Sequence, residues 1–183
     1  MTSLAELIGK AESNNDYNVY NRGTLGGKIL GAKFKRSLVT SRINAILSDM
    51  ALPPENTNHL FAVGRYQLIP TTLKDAVAKL HIDVKNAVFS EEMQDTIFTE
   101  YLLKIKRTAI FNYITGESND IHAACLALAC EWASFADPNT GNSHYGSGNH
   151  ASVSVAQMTD ALNRARSAHT EQGMNFMQAV LHG

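Results

Sequence analysis

The sequence has few cysteines and none of the short motifs that mark a metal, phosphate or dinucleotide site. Cys125 and Cys130 are the only two cysteines among 183 residues. Five positions apart on one predicted helix, their Cα atoms would be roughly 8–9 Å apart, too far for a disulfide. No H-E-x-x-H, Walker, G-x-S-x-G or dinucleotide-binding pattern is present. We therefore expect reduced thiols in the core, no disulfide, no metal ion and no cofactor.

The chain also lacks an excess of one charge and any long apolar run. Lys and Arg number 16 against 17 Asp and Glu, whereas proteins that bind nucleic acids usually carry a basic excess. No stretch has the length of a membrane-spanning helix, and Met1–Lys10 lacks the regions of a secretory signal. These absences predict a protein made in the cytoplasm that neither binds nucleic acid nor inserts into a membrane.

What the sequence does contain is mostly helical. With 44% hydrophobic residues, no internal repeat and no linker, residues 1–183 are expected to form a single domain with its own core. The Asn, Gly and Tyr residues of Tyr17–Phe34 predict turns and a small sheet. Asp120–Phe135 contains a run that is apolar all round, which predicts a central helix packed on every side. The expected fold is mainly α, an α+β helical bundle around this central helix with a small β and loop lobe.

The first predicted helix ends at an acidic residue. Ser3 and Glu6 have the spacing of a capping box, and one apolar face follows it, comprising Leu4, Leu7, Ile8 and Ala11. Glu12 lies four residues after Ile8 and continues this face. Burial makes a carboxyl group costly to ionise and raises its pKa, which predicts a proton donor near neutral pH. The alternative is a surface glutamate at a frayed helix end.

Residues suited to binding a saccharide lie in Gly64–Pro70, just before a predicted helix. Gly64 allows close backbone approach, the ring of Tyr66 could stack on a sugar face, and the amide of Gln67 can both donate and accept hydrogen bonds. The alternative is an ordinary strand-to-helix junction in which Pro70 sets the turn.

A further group of candidate residues follows the apolar helix. Glu131 closes that helix, and because a buried carboxylate needs a partner, we expect it to pair with Arg65 or a helix-end N–H. Trp132, the only tryptophan, is either a core anchor or the wall of a groove on which a saccharide stacks. Lys33, Lys35 and Arg36 form the only tight basic cluster, interpreted as a solvated face or as a surface that attracts an anionic polymer.

Taken together, these segments resemble the lysozyme-like superfamily, in its lytic-transglycosylase and lambda-type phage endolysin branches. Glu12-Ser13 resembles the Glu-Ser pair that carries the catalytic acid of soluble lytic transglycosylases. Gly64–Pro70 resembles their Gly-x-x-Gln-x-x-Pro signature and the Gly-Arg-Tyr-Gln-Leu of the endolysin. Trp132-Ala133-Ser134, with Tyr145-Gly146 downstream, matches that endolysin's pattern. The three segments occur in the family's order and span most of the chain.

The resemblance implies cleavage of the β-1,4 bond between N-acetylmuramic acid and N-acetylglucosamine in peptidoglycan, with Glu12 as general acid and base. It implies that four further residues bind the sugar: Ser13, Tyr66, Gln67 and Tyr145. It also implies a structural or orienting role for three others: Arg65, Glu131 and Trp132. A hydrolase would need a second carboxylate, for which Asp16 is the first candidate and Asp137 and Glu131 follow.

A lytic transglycosylase needs no second carboxylate, since the 2-acetamido group of the sugar can assist, and it is the expected branch. The alternatives are a hydrolytic muramidase, a chitinase- or chitosanase-like glycosidase and, in another class, a module that binds cell-wall glycan without cutting it. Similar domains are phage endolysins and antibacterial effectors of secretion systems. The implied protein is bacteriolytic and, made without a signal peptide, reaches the cell wall after release or secretion. If it is an effector, an immunity protein would be its partner.

Overall fold

The computed structural model describes residues 2–146 and 148–183, and they divide into two compact units. Glu12–Tyr101 form one, here called the sheet unit, and residues up to Ala11 with Leu102–Gly183 form the other, the helical unit. Helices predominate and the strands are short, which confirms the mainly α, α+β class. That residues 1–183 act as a single domain stays a prediction.

Helix α1, Leu4–Ser13, forms as its sequence predicts. The Ser3 N–H donates to Glu6 Oε2 (3.0 Å) and the Glu6 N–H donates to Ser3 Oγ (3.2 Å), which completes the capping box. Leu4 and Ile8 of the predicted apolar face are fully buried. The helix ends where Asn14 and Asn15 adopt φ of 56° and 61°, a left-handed conformation that asparagine tolerates.

The sheet unit contains two small antiparallel sheets. Tyr20 pairs with Phe34 on one side and Val63 on the other, so strand β1 is central in the order β4-β1-β5. Strands β2 and β3 pair across the Gly26-Gly27 turn. The five strands are β1 Val19–Asn21, β2 Thr24–Leu25, β3 Lys28–Ile29, β4 Ala32–Lys35 and β5 Ala62–Val63. The small sheet predicted in Tyr17–Phe34 is confirmed, and β5 completes it.

The helices of the sheet unit begin and end at recognisable residues. A 3₁₀ turn, Leu38–Thr40, precedes α2, Ile43–Met50, which ends before Pro53-Pro54. Pro70 occupies the first turn of α3, Pro70–Lys79. Ser90 Oγ accepts the Met93 N–H at the start of α4, Glu91–Thr96, and the chain continues as a π-helix, Ile97–Lys106, whose last five residues belong to the helical unit.

The helical unit is built from α5, Thr108–Thr115, α6, Ile121–Ala129, α7, Val155–Thr170, and α8, Phe176–His182. Helix α7 packs against each of the other three, and its start is fixed by a capping box between Ser154 and Gln157. Helix α5 ends at Gly116, whose φ is 85°.

The expectation of a helix packed on every side is wrong for α6. It ends at Ala129, short of the predicted Phe135. Its fully buried residues share one face, the residues opposite are half-buried and His122 is exposed; the buried ones are Ala124, Cys125, Leu128 and Ala129. In the described part of the chain, no helix is long and apolar enough to cross a membrane.

Candidate active site

The Glu-Ser pair lies in the last turn of α1. Glu12 is half-buried and Ser13 is buried, with 5% of its surface exposed. The Ser13 hydroxyl donates a 2.9 Å hydrogen bond to the backbone carbonyl of Arg65. The structure therefore brings together the pair at the end of α1 and the Gly64–Pro70 segment, which the sequence separates by about fifty residues.

The Gly64–Pro70 segment begins as a tight turn after β5. Val63 and Leu68 exchange two backbone hydrogen bonds, of 3.1 and 2.9 Å, across it. Gly64 has a φ of 75°, and a Cβ at that position would lie 2.1 Å from Gln94 Oε1. Both the left-handed backbone and this close approach require glycine.

Gln67 closes the same turn, with a φ of 50°. Its Nε2 donates to the carbonyl oxygens of Gly64 (2.9 Å) and Val19 (3.4 Å), so the amide donor is used inside the protein. Its buried Oε1 has no hydrogen-bond partner among the described residues. Sugar binding by Gln67 stays a prediction.

A buried glutamine in α4 fixes the turn against the segment that follows the Glu-Ser pair. Gln94 is 1% exposed. Its Nε2 donates to the carbonyls of Tyr17 and Phe89, both at 3.1 Å, and its Oε1 accepts the Arg65 N–H at 3.0 Å. The sequence analysis missed Gln94, because one polar residue on a short helix carries no local signal of its partners.

The side chain of Arg65 enters a network that the sequence analysis also missed. Arg65 Nη1 donates to the hydroxyls of Tyr17 (2.8 Å) and Tyr66 (3.2 Å). Both hydroxyls donate to Asp95, at 3.0 and 2.6 Å, and Arg65 Nη1 lies 3.6 Å from that carboxylate. Arg65 Nη2 and Nε also donate to Asn15 Oδ1 at 3.1 and 3.2 Å, which ties the network to the residues just after Ser13.

The two tyrosines of this network are held in their protonated form. Burial, followed by the charge of Asp95, raises the pKa of Tyr17 to about 12 and that of Tyr66 further still. Their hydroxyls therefore remain donors to Asp95 at neutral pH.

The stacking role predicted for Tyr66 is wrong. The residue is 1% exposed, and its ring lies parallel to that of Phe98, with 3.9 Å between centroids and 7° between planes. One face is covered by Phe98 and almost no surface is left for a sugar. Tyr66 is a core residue that acts through its hydroxyl on Asp95.

Asp16 lies beyond the end of α1 and is engaged in an ion pair. Its Oδ2 is 2.6 Å from Lys35 Nζ, and its Oδ1 accepts the Asn18 N–H at 2.8 Å. The hydrogen bond from Lys35 is the main cause that lowers the pKa of Asp16. The carboxylate is therefore ionised at neutral pH, and its role as a second catalytic carboxylate stays a prediction. Within the predicted basic cluster, Lys35 is thus paired, and Arg36 is paired with Asp49.

Glu131, in the helical unit, has partners other than those expected. Its oxygens lie 2.8 Å from Lys106 Nζ and 2.7 Å from Arg107 Nε. The prediction of Arg65 or a helix-end N–H as its partner is therefore wrong. Lys106, the last residue of the π-helix, and Arg107, which follows it, neutralise this nearly buried carboxylate, as a desolvated charge requires.

The two aromatic candidates of the helical unit differ in exposure. Trp132 is 4% exposed and packs 6.0 Å from the ring of Phe135, so the core-anchor interpretation is confirmed and the groove-wall interpretation is wrong. Tyr145 is 52% exposed, and its hydroxyl donates to the Cys130 carbonyl at 2.6 Å. About half of the residue is open to solvent, and its sugar-binding role stays a prediction.

The candidate residues thus fall into two groups, with Glu131, Trp132, Asp137 and Tyr145 in the helical unit and the others in the sheet unit. Within residues 2–146 and 148–183, no group of three or more His, Cys, Asp or Glu side chains is arranged to hold a metal ion. Comparison of the chain with family models, with curated proteins and with solved structures finds no match.

Proposed function

We propose that this protein cleaves peptidoglycan glycan strands between N-acetylmuramic acid and N-acetylglucosamine, as a lytic transglycosylase of the lysozyme-like class. Glu12 is the general acid and base. The observation that carries the proposal is the hydrogen bond from Ser13 Oγ to the Arg65 carbonyl. It joins the two segments whose residues most resemble the family, and a chance match of two short motifs would give no reason for them to touch.

The surroundings of Glu12 support its role as the acid. Glu12 is half-buried and lies at the carboxyl end of α1, where the helix dipole disfavours a negative charge. Both effects favour the neutral carboxyl group, which donates its proton to the glycosidic oxygen as the bond breaks. The resulting carboxylate then takes the proton of the muramic acid C6 hydroxyl, which closes to a 1,6-anhydro sugar.

The state of Asp16 supports the transglycosylase over the hydrolase. Its carboxylate is paired with Lys35 and hydrogen-bonded by the Asn18 N–H. A hydrolase would need a second carboxylate free to activate water or to attack the sugar. The transglycosylase pathway needs Glu12 alone.

The test is mass spectrometry of the soluble products released from purified peptidoglycan. The wild-type protein should release fragments ending in 1,6-anhydro sugars, and Glu12→Gln should lower the rate about a thousandfold, since it removes the proton donor. Glu55→Gln makes the same chemical change on an exposed loop residue and should leave the rate unchanged. Circular dichroism should show that both variants fold.

Other products would indicate a different activity. Reducing-end fragments would mean a muramidase, and Asp16→Asn would then test the second carboxylate. Cleavage of chitin or chitosan without cleavage of peptidoglycan would favour the chitinase-like alternative. If the wild-type protein releases nothing from any of these polymers but sediments with peptidoglycan, the enzyme proposal is wrong and the wall-binding module replaces it.

A further inference from the structure

A second cluster of reactive side chains lies wholly in the helical unit. Cys130, directly after α6, has its Sγ 3.6 Å from His144 Nε2. His144 Nδ1 lies 2.7 Å from Asp137 Oδ2. We propose that Cys130, His144 and Asp137 form a nucleophile–base–acid triad that accepts the acyl group of an ester or amide. This order of groups is that of triad hydrolases, and the proposal stands independently of Glu12.

The hydrogen bonds define where the protons lie. A carboxylate can only accept, so His144 Nδ1 carries the proton that faces Asp137. In the neutral imidazole this leaves Nε2 as the acceptor, and the Cys130 thiol is its donor. Asp137 Oδ1 accepts from the N–H and Nδ2 of Asn139, at 2.8 and 3.0 Å. The bond from His144, and after it that from the Asn139 N–H, lowers the pKa of Asp137, which stays charged.

The loop that carries His144 is held on both sides of the imidazole. The Ser143 hydroxyl donates to the Ala133 carbonyl at 2.7 Å, and the Tyr145 hydroxyl donates to the Cys130 carbonyl at 2.6 Å. The Asp137 N–H donates to the Asn142 carbonyl at 2.7 Å. His144 is therefore fixed with its Nε2 toward the thiol before any substrate binds, the condition under which a general base is effective.

The charges around Cys130 define how the thiol reacts. The Glu131 carboxylate next to it is neutralised by Lys106 and Arg107, and Arg107 Nη2 also donates to the Cys130 carbonyl at 2.5 Å. The geometry therefore gives the thiol one nearby proton acceptor, His144 Nε2 at 3.6 Å, to which its proton passes as the sulfur attacks.

The reaction balances with water alone. As the Cys130 sulfur bonds to the carbonyl carbon, its proton passes to His144 Nε2. The tetrahedral intermediate expels an alcohol or amine, which takes that proton and leaves a thioester on Cys130. Water then gives a proton to Nε2 and attacks the thioester, which releases the carboxylic acid and restores the thiol.

The test uses p-nitrophenyl acetate as the acyl donor and the full chain. We expect mass spectrometry to detect an acetyl group on the peptide that contains Cys130. At pH 7 the protein should release p-nitrophenol from the ester at least about tenfold faster than an equimolar amount of N-acetylcysteine does. Cys125 is an internal control, because it is buried and burial raises its thiol pKa; it should stay unmodified. Glu12→Gln should leave acetyl transfer unchanged, which keeps this test separate from glycan cleavage.

Variants assign the roles. His144→Gln should reduce acetyl transfer to the rate of N-acetylcysteine, and Asp137→Asn should reduce it by about tenfold, because the imidazole loses its orienting partner. The proposal is overturned if wild-type Cys130 reacts no faster than N-acetylcysteine, a result that needs no variant to fold. It is also overturned if folded His144→Gln retains the wild-type rate.

Discussion

Glu12 with its neighbour Ser13 and the Ser13–Arg65 contact (the Glu12 cluster), and the Cys130–His144–Asp137 triad, each place a reactive group at the carboxyl end of a helix, but the contacts that support the two groups differ in sequence separation. Glu12 lies in the last turn of α1 and Cys130 directly follows α6. Around Glu12, the supporting contacts come from far along the chain: the Ser13–Arg65 bond spans 52 residues and the Tyr17–Asp95 bond spans 78. Around Cys130, His144 and Tyr145 are 14 and 15 residues away.

The difference bears on stability as well as on chemistry. The contacts of Ser13 and Gln94, both buried, form only when distant parts of the sheet unit have folded together, and a change in them should lower stability and activity together. The partners of Cys130 lie on one short, partly exposed loop, whose closure costs little entropy. Changes to the partly exposed His144 should alter reactivity with a smaller loss of stability. The predictions below test this contrast, from the largest effect to the smallest.

Gly64→Ala should be the most disruptive single change in the sheet unit. A Cβ at Gly64 would overlap Gln94 Oε1, 2.1 Å away, and would contact Phe89 at 3.1 Å. Overpacking and the positive φ together should lower the free energy of unfolding by about 4 kcal/mol. Urea unfolding followed by circular dichroism measures this loss.

Gly31→Ala is the matched control for that change. Gly31 has a φ of 73°, close to that of Gly64, but nothing lies within 4 Å of its Cβ position. Only the backbone cost should remain, about 1 kcal/mol. Equal losses in the two variants would show that the contact with Gln94 does not hold the turn.

Asp95→Asn should remove the charge at the base of the network. Arg65, whose side chain is 11% exposed, would lose its ion-pair partner, and the Tyr17 and Tyr66 hydroxyls would lose their carboxylate acceptor. We expect the free energy of unfolding to fall by about 2 kcal/mol, below the range for a fully buried pair because Asp95 is 19% exposed. Asp75→Asn, at an exposed position on α3, should change it by less than about 0.5 kcal/mol. If Asp95→Asn lost no more stability than the control, the network around Asp95 would contribute nothing measurable to the free energy of unfolding.

The sequence predicts features that depend on neighbours a few residues apart. The capping box predicted at Ser3 is confirmed. The structure shows the same kind of local end signal at Ser90, Ser154 and Gly116. Each requires only local geometry, in which a side chain meets a free backbone group within one turn.

The contacts behind Glu12 could not be predicted in the same way. Nothing near Gln94 or Asp95 indicates that these side chains meet a turn about thirty residues earlier. The error at Tyr66 and the two alternatives left open at Trp132 have a related cause, because the local sequence around an aromatic residue is the same whether its ring faces solvent or core. Glu131 was expected to need a partner, but Lys106 and Arg107, some 25 residues away, could not be chosen from spacing.

The smallest effects are expected at two buried serines. Each donates one hydrogen bond to a backbone carbonyl, but the two bonds span different distances along the sequence, 52 and 10 residues. Ser13 and Ser143 are 5% and 8% exposed, and each hydroxyl donates to a backbone carbonyl, of Arg65 and of Ala133. Alanine at either position should lower the free energy of unfolding by about 1 kcal/mol. Ser13→Ala should also slow peptidoglycan cleavage by about tenfold, because the segment carrying Glu12 loses its tie to the turn. Ser143→Ala should leave that cleavage unchanged and slow acetyl transfer to Cys130. If each variant slowed both reactions equally, the two clusters would be coupled, and the distinction between long-range and local support would not describe how they work.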